Sequence, residues 1–232
     1  MRRHEKDYSE PCSLVKNPLH MKYLSLVFAV LTLGLGSCST AYYGAMDKLG
    51  YEKRHILVNR VKKAKSSQID AKEQFSSALD EFIAVSNYKG GELEKTYRRI
   101  EIAYKKSETR AKDVRGRNNA VESTGKALFS EWDKEIKLFS DPELAAASRI
   151  QYKAAKERFS ELQAAMRSAE SKLDPVLNKF RDQTLFLKHN LNAKAISALE
   201  SQVVSVKVDV ARLIRDMERS IAEADRFISQ MR

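Results

Sequence analysis

The residue with the clearest capacity for chemistry is Cys38, which follows an apolar segment. Residues 24–35 form an almost uninterrupted apolar run; Lys22 precedes it, and the small residues Gly36 and Ser37 follow it. A run of about a dozen residues is too short to span a bilayer, which takes roughly 20 apolar residues. A basic start, a short apolar core and small final residues are typical of a secretory signal peptide. The thiol of Cys38 would then be a nucleophile at the point where the segment is removed.

Leu35, Gly36, Ser37 and Cys38 resemble the lipobox of bacterial lipoproteins. In a lipobox the cysteine thiol receives a diacylglyceryl group, a peptidase cuts just before the cysteine, and the new amino group is acylated. The resemblance implies signal cleavage between Ser37 and Cys38 and lipid attachment at Cys38. Three acyl chains, at about 0.8 kcal/mol per buried methylene, make an effectively permanent anchor. The alternative left open is a signal peptide with a coincidental cysteine.

The apolar segment also sets the expected domain organisation. We interpret residues 1–37 as the signal peptide, 38–50 as a lipidated tether and 51–232 as a bundle of long helices. Residues 1–20 are an upstream extension if Met21 is the true start. By resemblance to Gram-negative sorting rules, the absence of Asp at Ser39 favours the periplasmic face of the outer membrane over the inner membrane. The chain has two cysteines, so no disulfide framework is expected.

The rest of the chain has the composition and the periodicity of long helices. It holds only 8 glycines and 4 prolines in 232 residues, among many good helix formers. Apolar residues recur at alternating spacings of three and four, which predicts a heptad seam on each helix. The four seams cover residues 57–85, 93–132, 155–187 and 196–227. The predicted fold class is therefore all-α, an elongated antiparallel four-helix bundle or coiled coil that follows the lipoprotein signal peptide and is roughly 70 Å long.

Breaker residues mark where the helices end and where they bend. Turns are expected at residues 87–91 and 189–192, and Asp141 suits an N-cap before Pro142. Gly116 and Gly125 mark a soft place, but the seam continues past them, so we predict one long helix there. The third seam runs through Pro175, which we expect to bend its helix rather than divide it.

The order of the helices predicts which turns lie together. Since the first helix starts at the anchor, residues 87–91 and 189–192 lie at the far tip, while Asp141 and the C-terminus return toward the anchor. Four residues at this tip are candidates for docking an envelope partner, although such residues are more often simple turns: Tyr88, Lys89, His189 and Asn190.

Three segments resemble one known family. They are CSTAYYGAMDKLGYEKRHILVNRV at 38–61, DPVLNKFRDQTLFLKHNLNAKAISAL at 174–199 and RSIAEADRFISQ at 219–230. They are similar to a Gram-negative envelope lipoprotein family of unknown function, domain-of-unknown-function family 2959. The resemblance implies a helical envelope protein, and because the family has no assigned chemistry it implies no active site.

The formal charge of +11 points to anionic partners. Basic residues cluster at 48–65 and 95–117, which makes Lys62, Lys63, Arg98 and Arg99 candidates for binding lipid headgroups or cell-wall polymers. Solvated surface without a ligand is the open alternative. Nucleic acid is not expected, because a lipoprotein outside the cytoplasm rarely meets any.

No motif for catalysis or cofactor binding is found. The sequence has no phosphate-binding loop of the GxxxxGK[ST] type, and His55 and His189 have no second histidine at helical ligand spacing. We therefore expect no enzyme activity, no metal and no cofactor. The predicted function is that of a membrane-anchored envelope lipoprotein with a structural, scaffold or adaptor role. The alternative is a binding module for anionic polymers or headgroups, and the oligomeric state is open.

Overall fold

A computed structural model describes residues 53–86, 93–190 and 193–231. The chain separates into two units, residues 1–50 and 51–232, and every described residue belongs to the second. The predictions for the signal peptide, the lipobox, the tether and the turn at 87–91 lie outside the described residues, as do residues 191 and 192 of the turn at 189–192.

The second unit consists of helices joined by short connections. Its elements are α1 (Lys53–Ser86), α2 (Leu93–Ile136), α3 (Pro142–Ser171), α4 (Leu173–His189) and α5 (Ala193–Gln230). No strand occurs in the described ranges. The 44 residues of α2 make a helix about 66 Å long at 1.5 Å per residue, close to the predicted rod. The all-α prediction is confirmed.

The helices pack as antiparallel neighbours around two core clusters. Helix α1 contacts α2 and α5, while α3 and α4 follow one another along the opposite side and contact the same two helices. One cluster includes Phe75, stacked on Phe180 with ring centroids 6.2 Å apart. The other contains Phe159 and Phe227, with centroids 5.9 Å apart. The predicted four-helix bundle is thus confirmed, with its third helix in two consecutive segments.

The heptad seams are the buried faces of the helices. Every position of the first seam is buried: Leu57, Val61, Ala64, Gln68, Ala71, Phe75, Ala78, Phe82 and Val85. Because three- and four-residue spacing returns to one side of a 3.6-residue helix, each seam becomes a continuous contact surface.

The third helix is interrupted at Lys172, three residues before Pro175. The sequence predicts a bend without division, whereas the structure ends α3 at Ser171 and begins α4 at Leu173. Lys172 keeps right-handed helical dihedrals, with φ −90° and ψ −10°, and its N–H donates to Ala169 O at 3.2 Å. Pro175 has no N–H to donate to the preceding turn, which weakens the helix there. Since Leu173 is buried like Ala169, the seam continues across the break.

The cap at Asp141 and the long second helix follow the prediction. Asp141 caps α3 with its side chain, which accepts from Glu143 N at 2.8 Å and Leu144 N at 3.2 Å, and Pro142 is the first helical residue. Helix α2 runs without interruption through Gly116 and Gly125.

Two contacts show which helix ends lie together. Lys53, the first residue of α1, forms an ion pair with Glu131 near the end of α2. Arg54 Nε donates to Met231 O at 2.7 Å. The start of α1, the last turns of α2 and the end of α5 therefore share one end of the unit, which we call the proximal end. The α2–α3 hairpin, residues 132–152, continues past Glu131 and so extends beyond the start of α1.

Candidate functional site

The predicted lipid-attachment site and half of the predicted docking tip are not among the described residues. Cys38 and its neighbours Leu35, Gly36 and Ser37 fall outside them, as do Tyr88 and Lys89. These assignments stay predictions. The structure bears on the remaining candidates, which lie on α1, α2 and the end of α4.

His189 and Asn190 lie where α4 ends. His189 is exposed, whereas Asn190 is half-buried and its Nδ2 donates to Phe186 O at 3.0 Å. The Asn190 side chain thus binds the last turn of its own helix. His189 is the more accessible of the two side chains for contact with a partner.

The four predicted anion-binding cations form two separate pairs. Lys62 and Lys63 are exposed on α1, and no ion pair joins them to another described residue. On α2, Arg98 pairs with Glu94 at 2.6 Å and Arg99 with Glu81 at 2.7 Å.

The distance between these pairs follows from the partner of Arg99. Glu81 lies eighteen residues beyond Lys63 on α1, which is about 27 Å along the helix. The structure therefore does not bring the four cations together. The arginines offer less free charge than the lysines, although exposed ion pairs are weak enough for another anion to compete.

A further candidate site is a cleft between α2 and α3, which the sequence analysis did not predict. It encloses about 510 Å³. We call it the lysine cleft. Its lining combines four lysines with aromatic and polar side chains: Lys126, Phe129, Ser130, Asp133, Lys134, Lys137, Tyr152, Lys156, Phe159, Ser160 and Gln163.

The lining comes from two helix faces with matching periodicity. On α2 the cleft residues include positions 126, 130, 133 and 137, and on α3 they include 152, 156, 159 and 163. Both sets follow the spacing i, i+4, i+7, i+11, which lies on one face of a helix. The spacing was visible in the sequence, but the pairing of the two faces required the α2–α3 register.

Aromatic rings form the floor of the lysine cleft. Phe129 and Phe159 lie with centroids 5.3 Å apart, and Tyr152 meets Phe129 edge to face at 5.9 Å. Both phenylalanines are buried. The packing of these rings sets the separation between the faces of α2 and α3 that carry the lysines.

Positive side chains outnumber negative ones in the lining of the cleft. Lys137 pairs with Asp133 at 2.7 Å, and the hydrogen bond from Lys137 holds the pKa of that carboxyl below its ordinary value. Lys156 Nζ donates to Tyr152 OH at 3.1 Å, and this hydrogen bond raises the pKa of Lys156. Lys134 is exposed, and no ion pair joins it to another described residue. Lys126 pairs with Glu122 at 2.7 Å, so Lys134 and Lys156 are the two lining lysines that form no ion pair with a carboxylate among the described residues, and they suit the cleft to an anionic group.

Large apolar side chains lie exposed at the end of the hairpin, next to the cleft. The exposed fraction is 81% for Leu138, 45% for Phe139, 55% for Leu144 and 70% for Ile150. We call these four residues the apolar tip. Trp132 lies six residues before Leu138; it lines a shallow pocket with Leu138 and Phe139, and its Nε1 donates to Ser148 Oγ at 3.0 Å.

The described residues contain neither a candidate metal site nor a helix that could span a membrane. Among them, no three His, Cys, Asp or Glu side chains are grouped so as to hold a metal ion. Of the helices α1 to α5, none has an apolar stretch of the length needed to cross a membrane.

The model of the family described as "Protein of unknown function (DUF2959)" matches residues 42–231. No curated protein matches the chain.

Proposed function

The chain belongs to the DUF2959 family, and from this premise we propose that it is an envelope lipoprotein held by lipid on Cys38, with a structural, scaffold or adaptor role. The observation that carries the proposal is the sequence from Leu35 to Cys38, directly after a short apolar run. We propose the periplasmic face of the outer membrane as its location, with the inner membrane as the alternative. No catalytic role is proposed.

The arrangement of the bundle supports a scaffold role. The seam residues of all four helices pack against one another inside the bundle. Such close packing makes the bundle stiff. The proximal end holds the start of α1, which follows Cys38 by fifteen residues. The opposite end, with His189, is then free to meet a partner at a distance from the membrane.

Metabolic labelling with an alkyne-bearing fatty acid tests the anchor. The full chain should incorporate the label, and Cys38→Ala should lose it, because the thiol that starts lipidation is gone. Cys12→Ala is the matched control and should keep the label. Equal labelling of Cys38→Ala and Cys12→Ala would contradict the proposal.

A binding module for anionic envelope polymers is the second candidate function. Exposed Lys62 and Lys63 and the lysine cleft favour it. Charge reversal at Lys62, Lys63, Arg98 and Arg99 should weaken binding to purified cell-wall sacculi at low salt by several-fold. Lys207→Glu, on an exposed part of α5, is the control for net charge. Unchanged binding after reversal would argue against this function.

A further inference from the structure

We propose that the α2–α3 hairpin is a second membrane contact: the apolar tip enters a phospholipid surface to headgroup depth, and the lysine cleft binds its phosphates. This inference rests on the proposed lipid anchor, since the anchor sets which surface the hairpin meets. The occupant is therefore a phospholipid layer, rather than a protein or a second copy of the chain.

The position of the hairpin is the first argument. Lys53 pairs with Glu131, so α1 begins at the level of that residue. Leu138 is seven residues further along, about 10 Å at helical rise. The α2–α3 hairpin thus continues beyond the level at which α1 begins and α5 ends. Among the described elements, no neighbouring helix covers the apolar tip.

The length of chain before α1 is the second argument. Lys53 follows Cys38 by fifteen residues, and a segment of that length spans at most about 50 Å. A lipid on Cys38 therefore keeps the proximal end within about 50 Å of the bilayer surface, and the hairpin extends from that end. A short connection of this kind gives the tip a high effective concentration at the membrane.

The order of side chains along the hairpin is the third argument. From the turn, the side chains on α2 are Leu138, the cleft lysines Lys137 and Lys134, and then Trp132. On α3, Ile150 comes before Tyr152 and Lys156. Membrane-bound proteins combine these residue types at one depth, with apolar groups in the acyl boundary and Trp, Tyr and Lys at the level of the headgroups.

The carboxylates at the turn limit the depth of insertion. Asp141 and Glu143 are exposed there, and charged groups are costly in hydrocarbon. Asp141 is already occupied as the cap of α3. The hairpin therefore lies at headgroup depth, with the turn in contact with water and only the apolar side chains passing the phosphates.

Site-specific fluorescence tests the contact in the full chain. In a Cys12→Ser background, Ser140→Cys is labelled with nitrobenzoxadiazole and the protein is reconstituted in phosphatidylethanolamine and phosphatidylglycerol vesicles with a headgroup spin-labelled lipid. The label should be quenched several-fold more than one at Ser229→Cys, an exposed position near the end of α5. Equal quenching at both positions would overturn the proposal.

Changes at the tip provide the decisive comparison. Leu138→Gln with Ile150→Gln should remove most of the quenching at position 140, because each lost apolar contact lowers membrane affinity by about tenfold. The matched control is Val204→Gln with Val208→Gln, which changes exposed apolar residues on α5 and should leave the quenching intact. Energy transfer between labels at 140 without lipid would identify a second copy as the occupant and overturn the proposal.

Dye labelling of the Cys12→Ser parent distinguishes a wrong hairpin contact from a wrong lipid anchor. A lipidated Cys38 has no free thiol, so the Cys12→Ser parent without an added cysteine should not take the dye. If the parent stays unlabelled and position 140 is not quenched, the hairpin contact is wrong and the anchor stands. If the parent takes the dye, the anchor is wrong; quenching at 140 after adding Cys38→Ser then supports the contact, and no quenching overturns it.

Discussion

The ring of Phe159 lies directly on the backbone of Gly125, so that a Cβ on Gly125 would come within 2.0 Å of the ring Cζ. Phe129 and Phe227 hold the ring from other sides, with centroids at 5.3 Å and 5.9 Å. Since the ring is 4% exposed, it cannot move aside without disturbing the core. Close packing between α2 and α3 therefore requires glycine at position 125.

Gly125→Ala should lower the free energy of unfolding by about 1–3 kcal/mol, the usual cost of overpacking a core. Gly116→Ala is the matched control, because a Cβ there meets no atom within 4 Å. That change should raise stability by about 0.5–1 kcal/mol through helix propensity. Urea unfolding of the two variants measures both effects. A Gly125→Ala variant as stable as Gly116→Ala would contradict the packing argument.

Gln68 is a polar residue in an otherwise apolar seam. It is 1% exposed, and its Oε1 accepts no hydrogen bond from any described residue. Gln68→Met should stabilise the bundle by about 1–2 kcal/mol, because an unsatisfied buried acceptor is replaced by an apolar group of similar volume. Thermal unfolding measures the gain, and the same change at half-buried Gln74, which donates to Ala103 O at 3.4 Å, should give less. A loss of stability in Gln68→Met would refute this reading.

Asp141 fixes the start of α3. Its Oδ1 accepts from two backbone N–H groups of the first turn, so Asp141→Ala should cost about 1 kcal/mol of stability. Asp80→Ala, at an exposed position inside α1, removes the same charge without removing a cap and should be neutral or slightly stabilising. The difference between the two midpoints of urea unfolding isolates the cap. Equal midpoints would mean that the cap contributes nothing.

Glu122 connects α2 and α3 through its ion pairs. Lys126 lies at 2.7 Å and Arg167 is also bound, and these partners, the Lys126 hydrogen bond first, lower the pKa of Glu122. A carboxyl with a lowered folded-state pKa stabilises the protein fully above its unfolded value of about 4.3, and loses that contribution as pH falls through the folded value.

The difference in unfolding free energy between the wild type and Glu122→Gln should accordingly be constant above about pH 5.5 and shrink below about pH 4.3. It should stay below about 1 kcal/mol, because the pair is partly exposed. Glu200→Gln, at an exposed position on α5, should show no such pH dependence. A difference that grew on acidification would have the wrong sign for this mechanism.

Local patterns predicted most of the fold. The seam spacing identified the buried residues of α1 one by one, and Asp141 with Pro142 located the start of α3. Both depend only on residues within a few turns of one another, so they can be read without knowledge of the partner helix. The break at Lys172 was not predicted: the sequence analysis expected only a bend at Pro175, because the seam does not reveal that the proline acts on the turn before it.

The lysine cleft and the apolar tip depend on the register between helices. Lys134 and Lys156 belong to different helices, and the packing of α2 on α3, including Phe129 on Phe159, brings their faces together. Likewise, Leu138 lies beyond the second seam, which ends at residue 132, and the sequence alone does not set its exposure. It is exposed because the α2–α3 hairpin extends past the start of α1. Its exposure therefore depends on the relative lengths of the helices.

The intact mass of the protein purified from its native membrane tests the central claim most directly. The account predicts a chain that begins at Cys38 and carries a diacylglyceryl group on sulfur and an acyl group on the amino terminus. A chain that retains residues 1–37 or 21–37 and has an unmodified Cys38 thiol would contradict it.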